Sequence, residues 1–168
     1  MAGGHKQVAG KSFDETFAAA VKAPSIRVVL GNAAAQDWEI HQVDVKSTYR
    51  LKEKVYMQAL PGVLKGNQQG KVCRLLKNLY GLHQAGQGWY KEMSSVFMNK
   101  LGFKKSAVDH SVFYRRTKDE HTIVAVATDD MAITSKRLED VEKLKWELCQ
   151  HWKISNLGEL TWYLGFRV

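Results

Sequence analysis

The chain has 168 residues, with 25 Lys and Arg against 17 Asp and Glu, for a net charge of +8 at pH 7. That length suffices for one sizeable core and favours a single domain, and the basic excess suits a polyanionic partner without specifying a fold. No apolar run reaches the roughly 18 residues of a membrane span, Met1-Ala2-Gly3-Gly4-His5-Lys6 lacks the apolar core of a secretory signal, and the two cysteines, Cys73 and Cys149, have no neighbour with which to form a metal or redox pair. They are read as buried thiols in a reducing compartment, so an intracellular chain, cytoplasmic or nuclear, with no membrane partner is expected.

In chain order, residues 25–36 read as a short helix. Pro24 precedes it, and Ile26, Val29, Leu30 and Ala33 recur at helical spacing, with Gly31 as the weak point. Residues 38–45 alternate as a strand, 54–58 predict another, and 61–70 form a polar, Gly-rich loop. Residues 72–76 are apolar enough for a short strand. Trp89, Met93, Phe97 and Leu101, four apart, predict a helix of about three turns that Gly102 ends. Val112–Arg116 and His121–Ala127 pair across a polar loop at 117–120. Leu138, Val141, Leu144 and Leu148 mark one face of a further helix, and 152–154 and 160–168 close the chain as strands. Helices segregated against an antiparallel sheet make an α+β fold.

The chemistry concentrates at Thr128-Asp129-Asp130-Met131. Two β-prone runs, His121–Ala127 and 131–134, flank the carboxylates, which predicts a hairpin with both at its tip. Adjacent anions repel, and Mg²⁺ suits carboxylate and phosphate oxygens; a solvated turn uses the same residues, because Asp favours turns. Asp44 supplies a third carboxylate near the end of the 38–45 strand, and Tyr49 follows five residues later. Three carboxylates from neighbouring strands are the layout of a polymerase palm, where they hold two divalent ions about 3.5–4 Å apart.

Several ordered motifs strengthen that reading. Phe13-Asp14-Glu15-Thr16-Phe17, Trp38-Glu39-Ile40-His41-Gln42-Val43-Asp44-Val45-Lys46, Val55-Tyr56-Met57 and Leu79-Tyr80-Gly81-Leu82-His83-Gln84-Ala85 precede Asp109-His110-Ser111-Val112-Phe113. Leu157-Gly158-Glu159-Leu160 and Tyr163-Leu164-Gly165 follow the Asp-Asp pair. Over essentially its whole length the chain resembles the reverse transcriptase domain of Ty1/copia-type retrotransposon polyproteins. The resemblance implies a single partial domain over residues 1–168, a palm-like antiparallel sheet packed with helices, with partial fingers and no thumb. It implies RNA-directed DNA polymerase activity by two-metal nucleotidyl transfer. Asp44, Asp129 and Asp130 would be catalytic and would bind two Mg²⁺ or Mn²⁺ ions. Val45, Lys46, Tyr49 and Gln84 would bind the nucleotide, with Tyr49 as the gate that excludes ribose. The implied partners are an RNA template and DNA primer duplex, deoxynucleoside triphosphates, and full-length copies of the polyprotein.

The chain also departs from the family pattern. The aromatic two residues before the first hairpin Asp is Ala127, the segment after Tyr49 is about three residues short, and the Pro after Gln84-Ala85 is Gly86. A second reading, a catalytically silent transposon remnant with weak non-specific nucleic-acid binding, therefore stands beside the first. The chain alone is expected to extend primers weakly or not at all.

Either reading makes grip on nucleic acid electrostatic. A titration with an RNA–DNA duplex should show sequence-indifferent binding that weakens on the order of 10³-fold between about 50 and 200 mM salt, as for about six phosphate contacts. Binding that ignores salt would refute this.

Overall fold

The computed structural model describes residues 20–46, 56–59, 71–76 and 83–168. The chain divides into one unit of residues 1–17 and 48–89 and another of 18–47 and 90–168. In chain order the elements are α1 (Ala23–Ala35), β1 (Glu39–Val45), β2 (Tyr56–Gln58), β3 (Val72–Arg74), α2 (His83–Asn99), β4 (Lys104–Lys105) and β5 (Val112–Arg116). Then come β6 (His121–Ala127), β7 (Asp130–Ser135), α3 (Leu138–Cys149), β8 (Ile154–Glu159), β9 (Trp162–Tyr163) and β10 (Phe166–Arg167). In the first unit, β2 and β3 pair antiparallel with Met57 opposite Cys73.

The second unit is built on a six-stranded sheet in the order β4-β5-β6-β7-β1-β8, antiparallel throughout. Alternation along β1 assigns its two faces: His41, Val43 and Val45 are buried, while Ile40, Gln42 and Asp44 are half-buried on the other side. On the latter face Ile26, Val29 and Leu30 of α1 pack with Ala125, Ala127, Ala132, Val112, Leu160 and Tyr163. Three alanines there leave room for both the helix and the Tyr163 ring. On the opposite face α3 lies against β7, β1 and β8, and Val141, Leu144 and Leu148 are fully buried. Phe97 of α2 stacks on Phe113 at 4.9 Å and meets Phe103 edge-on at 5.2 Å.

Asp109 fastens α1 to the sheet. The helix lacks a side-chain cap of its own, and Asp109 Oδ2 accepts the Lys22 amide at 2.8 Å, while Oδ1 accepts the Ser111 amide at 3.0 Å. A carboxylate at a helix N-terminus also complements the helix dipole. Burial pushes the Asp109 carboxyl up, but the Lys22 amide, the Ser25 hydroxyl and the Ser111 amide together hold it below the ordinary carboxylate value.

The structure departs from the sequence expectations at several points. Residues 152–154 do not form a separate strand; β8 starts at Ile154 and continues through Glu159. The segment 160–168 is a hairpin, β9 paired with β10, because Leu164 at φ +48° and Gly165 at φ +86° form a two-residue turn with both φ positive, the type that fits strand twist. In α3, Leu138 is exposed and Lys145 is buried in the stripe instead. The α2 helix starts earlier than its apolar stripe, at His83, and β4 carries no strand signal in its two lysines. Cys149 is exposed rather than buried, and Cys73 is intermediate. Among the described residues, no helix is long and apolar enough to cross a membrane.

A bulge marks the β1–β8 pairing. Gln42 faces Gly158 but Val43 faces Asn156, so Leu157 is the extra residue. Gly158 adopts φ +78° there, a conformation glycine takes without strain. A Cβ at Gly158 or at Gly31 of α1 would meet nothing within 4 Å, so backbone conformation alone decides the sign of substitution. Gly158→Ala should cost about 1–2 kcal/mol, whereas Gly31→Ala should add about 1 kcal/mol, both read from urea unfolding midpoints.

Asp109→Ala leaves the Lys22 and Ser111 amides without their acceptor, and should cost about 2–3 kcal/mol at pH 7. Because the folded carboxyl titrates below its unfolded value, its contribution is complete above the ordinary carboxylate range and fades as pH falls through the lowered folded value. The gap between parent and variant should therefore narrow at pH 3.

Candidate active site

The β6–β7 hairpin closes with Ala127 opposite Asp130, leaving Thr128 and Asp129 as its two loop residues. Asp129 therefore sits at the tip, while Asp130 is the first residue of β7. Thr128 adopts φ +57°, unusual for a β-branched residue and a conformation found chiefly where surrounding structure enforces it.

The β1–β7 register brings Asp44 opposite Asp130. The Val45 amide donates to the Asp129 carbonyl at 2.9 Å, which makes 45 and 129 a hydrogen-bonded pair and 44 and 130 the adjoining non-hydrogen-bonded pair. Side chains in such pairs are the closer kind, with Cα atoms about 4.5 Å apart. Like charges directly opposite destabilise a sheet, and here donors stand beside each. Lys46 Nζ lies 2.9 Å from Asp44 Oδ2, and Gln42 Nε2 donates to Asp130 Oδ1 at 3.3 Å. Among the described residues, no three side chains of the His, Cys, Asp and Glu types are gathered to hold one metal ion. The donor set nevertheless suits a hard cation, since two half-buried carboxylates share one sheet face and supply only oxygens.

The nucleotide-binding expectations fare unevenly. The Val45 amide serves Asp129, and the Lys46 amide donates to the Lys153 carbonyl at 2.8 Å, so neither N–H is available to a phosphate. The Lys46 ammonium remains, on a side chain 57% exposed. Tyr49 lies outside the described residues, as does the side chain of Gln84, whose backbone is in α2.

Two supporting groups were given no role by the sequence reading. Tyr163 is buried, and its hydroxyl donates to the Ala125 carbonyl at 3.0 Å and the Asp130 carbonyl at 3.1 Å, spanning β6 and β7 below the hairpin tip. Beneath β1, on the face away from Asp44, Lys145 Nζ lies 2.9 Å from His41 Nδ1 and 2.6 Å from Glu142 Oε1. A protonated lysine makes Nδ1 the acceptor, so His41 Nε2 carries the proton toward Glu39 Oε2 at 3.4 Å.

A family model described as reverse transcriptase (RNA-dependent DNA polymerase) matches residues 1–168. The chain is 35% identical over 169 residues to the retrovirus-related Pol polyprotein from transposon TNT 1-94 of Nicotiana tabacum, a match covering 98% of this chain and 13% of that protein. It is 33% identical over 168 residues to the Pol polyprotein from transposon RE1 of Arabidopsis thaliana, covering 98% and 11%. With the transposon Ty1-DR4 Gag-Pol polyprotein of Saccharomyces cerevisiae it shares 32% over 137 residues, covering 77% and 8%. The chain thus spans only a small part of each relative's length, and no solved structure gives a significant match. The chain belongs to the reverse transcriptase family, as a reverse transcriptase domain of the Ty1/copia-type transposon polyproteins.

Proposed function

We propose that the six-stranded sheet is the palm of an RNA-directed DNA polymerase, with Asp44, Asp129 and Asp130 as its catalytic carboxylates. The observation that carries this reading is the direct opposition of Asp44 and Asp130 on one half-buried sheet face, with Asp129 at the adjoining hairpin tip. Divalent ions, Mg²⁺ or Mn²⁺, bound there would supply Lewis acidity to the primer 3′-hydroxyl and countercharge to the triphosphate.

The chain's own residues set up the rest. β1 and β7 fix two carboxylates side by side, and the strained Thr128 turn presents the third. Lys46 offers an ammonium beside Asp44 for a triphosphate oxygen, Val45 supports the hairpin through Asp129, and by resemblance Tyr49 would meet the nucleotide's sugar and Gln84 would face the incoming nucleotide. In the reaction a bond forms between the primer 3′ oxygen and the α-phosphorus of a deoxynucleoside triphosphate. Pyrophosphate leaves, and the hydroxyl proton passes to solvent. The template and primer are an RNA–DNA pair, gripped by the basic surface; in the longer polyprotein the remaining segments would share that grip.

Two observations favour the second reading, a nucleic-acid-binding remnant that does not extend primers. Asp44 is already neutralised by Lys46, and the carboxylates do not gather as a set of three among the described residues.

Primer extension on a homopolymer RNA template with Mg²⁺ or Mn²⁺ separates the two. Under the polymerase reading, Asp129→Asn lowers extension by about 10²-fold or more while duplex binding is retained, because the lost charge acts on the transition state whereas grip is distributed over basic residues. Extension undiminished in Asp129→Asn rejects the catalytic assignment. No metal-dependent extension by the parent, with nothing changed in the variant, favours the remnant.

A further inference from the structure

Asp130 is held at two points by groups that carry no charge. Its main-chain carbonyl accepts from the Tyr163 hydroxyl at 3.1 Å, and its carboxylate Oδ1 accepts from Gln42 Nε2 at 3.3 Å. The Gln42 orientation is dictated by chemistry, since only the NH₂ end of the amide can donate to an ionised carboxylate. Gln42 lies two residues before Asp44 on the same face of β1 and faces Ala132 across the sheet, so it reaches Asp130 along the diagonal.

Tyr163 is itself fixed. Its ring is 2% exposed among Val21, Ile26, Val29, Leu30 and the alanines of β6 and β7. The segment leading to it is tied to β1 by the Leu160 amide, which donates to the Ile40 carbonyl at 2.9 Å. The single proton of the Tyr163 hydroxyl is shared between carbonyls on two strands, Ala125 and Asp130, which pins the start of β7 against β6.

We infer that Gln42 and Tyr163 are positioning residues that clamp Asp130 for cation binding, Tyr163 through its main chain and Gln42 through its carboxylate. This rests on the reading of Asp130 as a metal ligand. The contrast with Asp44 is chemical. An ammonium cancels the charge of the carboxylate it holds, and a cation must displace it. A neutral amide fixes one oxygen, leaves the full negative charge, and leaves the second oxygen for a cation. Asp130 is accordingly the carboxylate prepared in advance, and Asp44 the one that exchanges Lys46 for an ion.

The test is Mn²⁺ binding to the full 168-residue chain, followed by electron paramagnetic resonance, for the parent, Gln42→Met and Tyr163→Phe. Both variants remove the donor and keep the bulk of the side chain. Mn²⁺ affinity is expected to fall about 10-fold in each, the scale seen when groups supporting metal ligands are removed, with the far-ultraviolet circular dichroism of the parent retained. A merely structural role predicts a lower unfolding midpoint with Mn²⁺ affinity unchanged. That outcome in both variants overturns the clamp while leaving the metal reading intact. A parent chain that binds no Mn²⁺ overturns the metal reading and the clamp together.

Discussion

The pairing of β1 with β7 is the constraint on which the domain turns. Six residues of β1, from Glu39 to Asp44, face six of β7 in reverse order. Slipping this register by one residue would move every side chain to the other face. His41, Val43 and Val45 would then leave the interior beside α3, and Asp44 would enter it. The same hydrophobic pattern that stabilises the sheet therefore also decides where the carboxylates stand, and no separate device is required to bring Asp44 to Asp130. Stability and site geometry come from one alignment.

The hairpin is anchored unequally along its length. At the end far from the turn, Glu120 is buried and accepts from Arg115 Nε at 2.6 Å and from Thr122 Oγ1 at 3.1 Å, while Arg115 also reaches Glu147 at 2.9 Å. Burial pushes the Glu120 carboxyl up, but Arg115 and Lys143 outweigh it and hold it below the ordinary value. Arg137 does the same for Asp140 at the start of α3. At the near end Lys46 pairs with Asp44, Gln42 donates to Asp130, and Thr128 carries the backbone strain. Well-paired charges at one end thus support a hairpin whose backbone strain lies at the other, as expected where strain collects at a working site.

Much of this was legible in the sequence, and the parts that were not share a cause. Local periodicity revealed α1, β1, α3 and the β5–β6 and β6–β7 hairpins, because each buries one face and so alternates at its own period. The Asp-Asp pair and Asp44 stood out by residue type. What escaped reading depends on partners far along the chain. Asp109 looked like one polar residue in a motif, and its purpose appears only against Lys22, 87 residues away. Lys145 breaks the apolar stripe of α3 for His41, 104 residues distant. Tyr163 read as part of a closing strand, whereas its hydroxyl serves β6 and β7. Residues 160–168 scan as one apolar run, and only the positive φ at Leu164 and Gly165 folds it back.

The outer strands of the sheet have a consequence for how the domain behaves in company. Unpaired main-chain groups along a sheet margin invite another chain to add a strand, and proteins discourage this with short edges, lysines and bulges. Among the described residues, one margin is β4, two residues long and made of Lys104 and Lys105, the latter lying over the Tyr90 ring at 5.8 Å. The other is β8, interrupted at Leu157 and Gly158. Both margins therefore resist templated growth by different means. Strand addition at either margin is thereby disfavoured when copies of the domain crowd together.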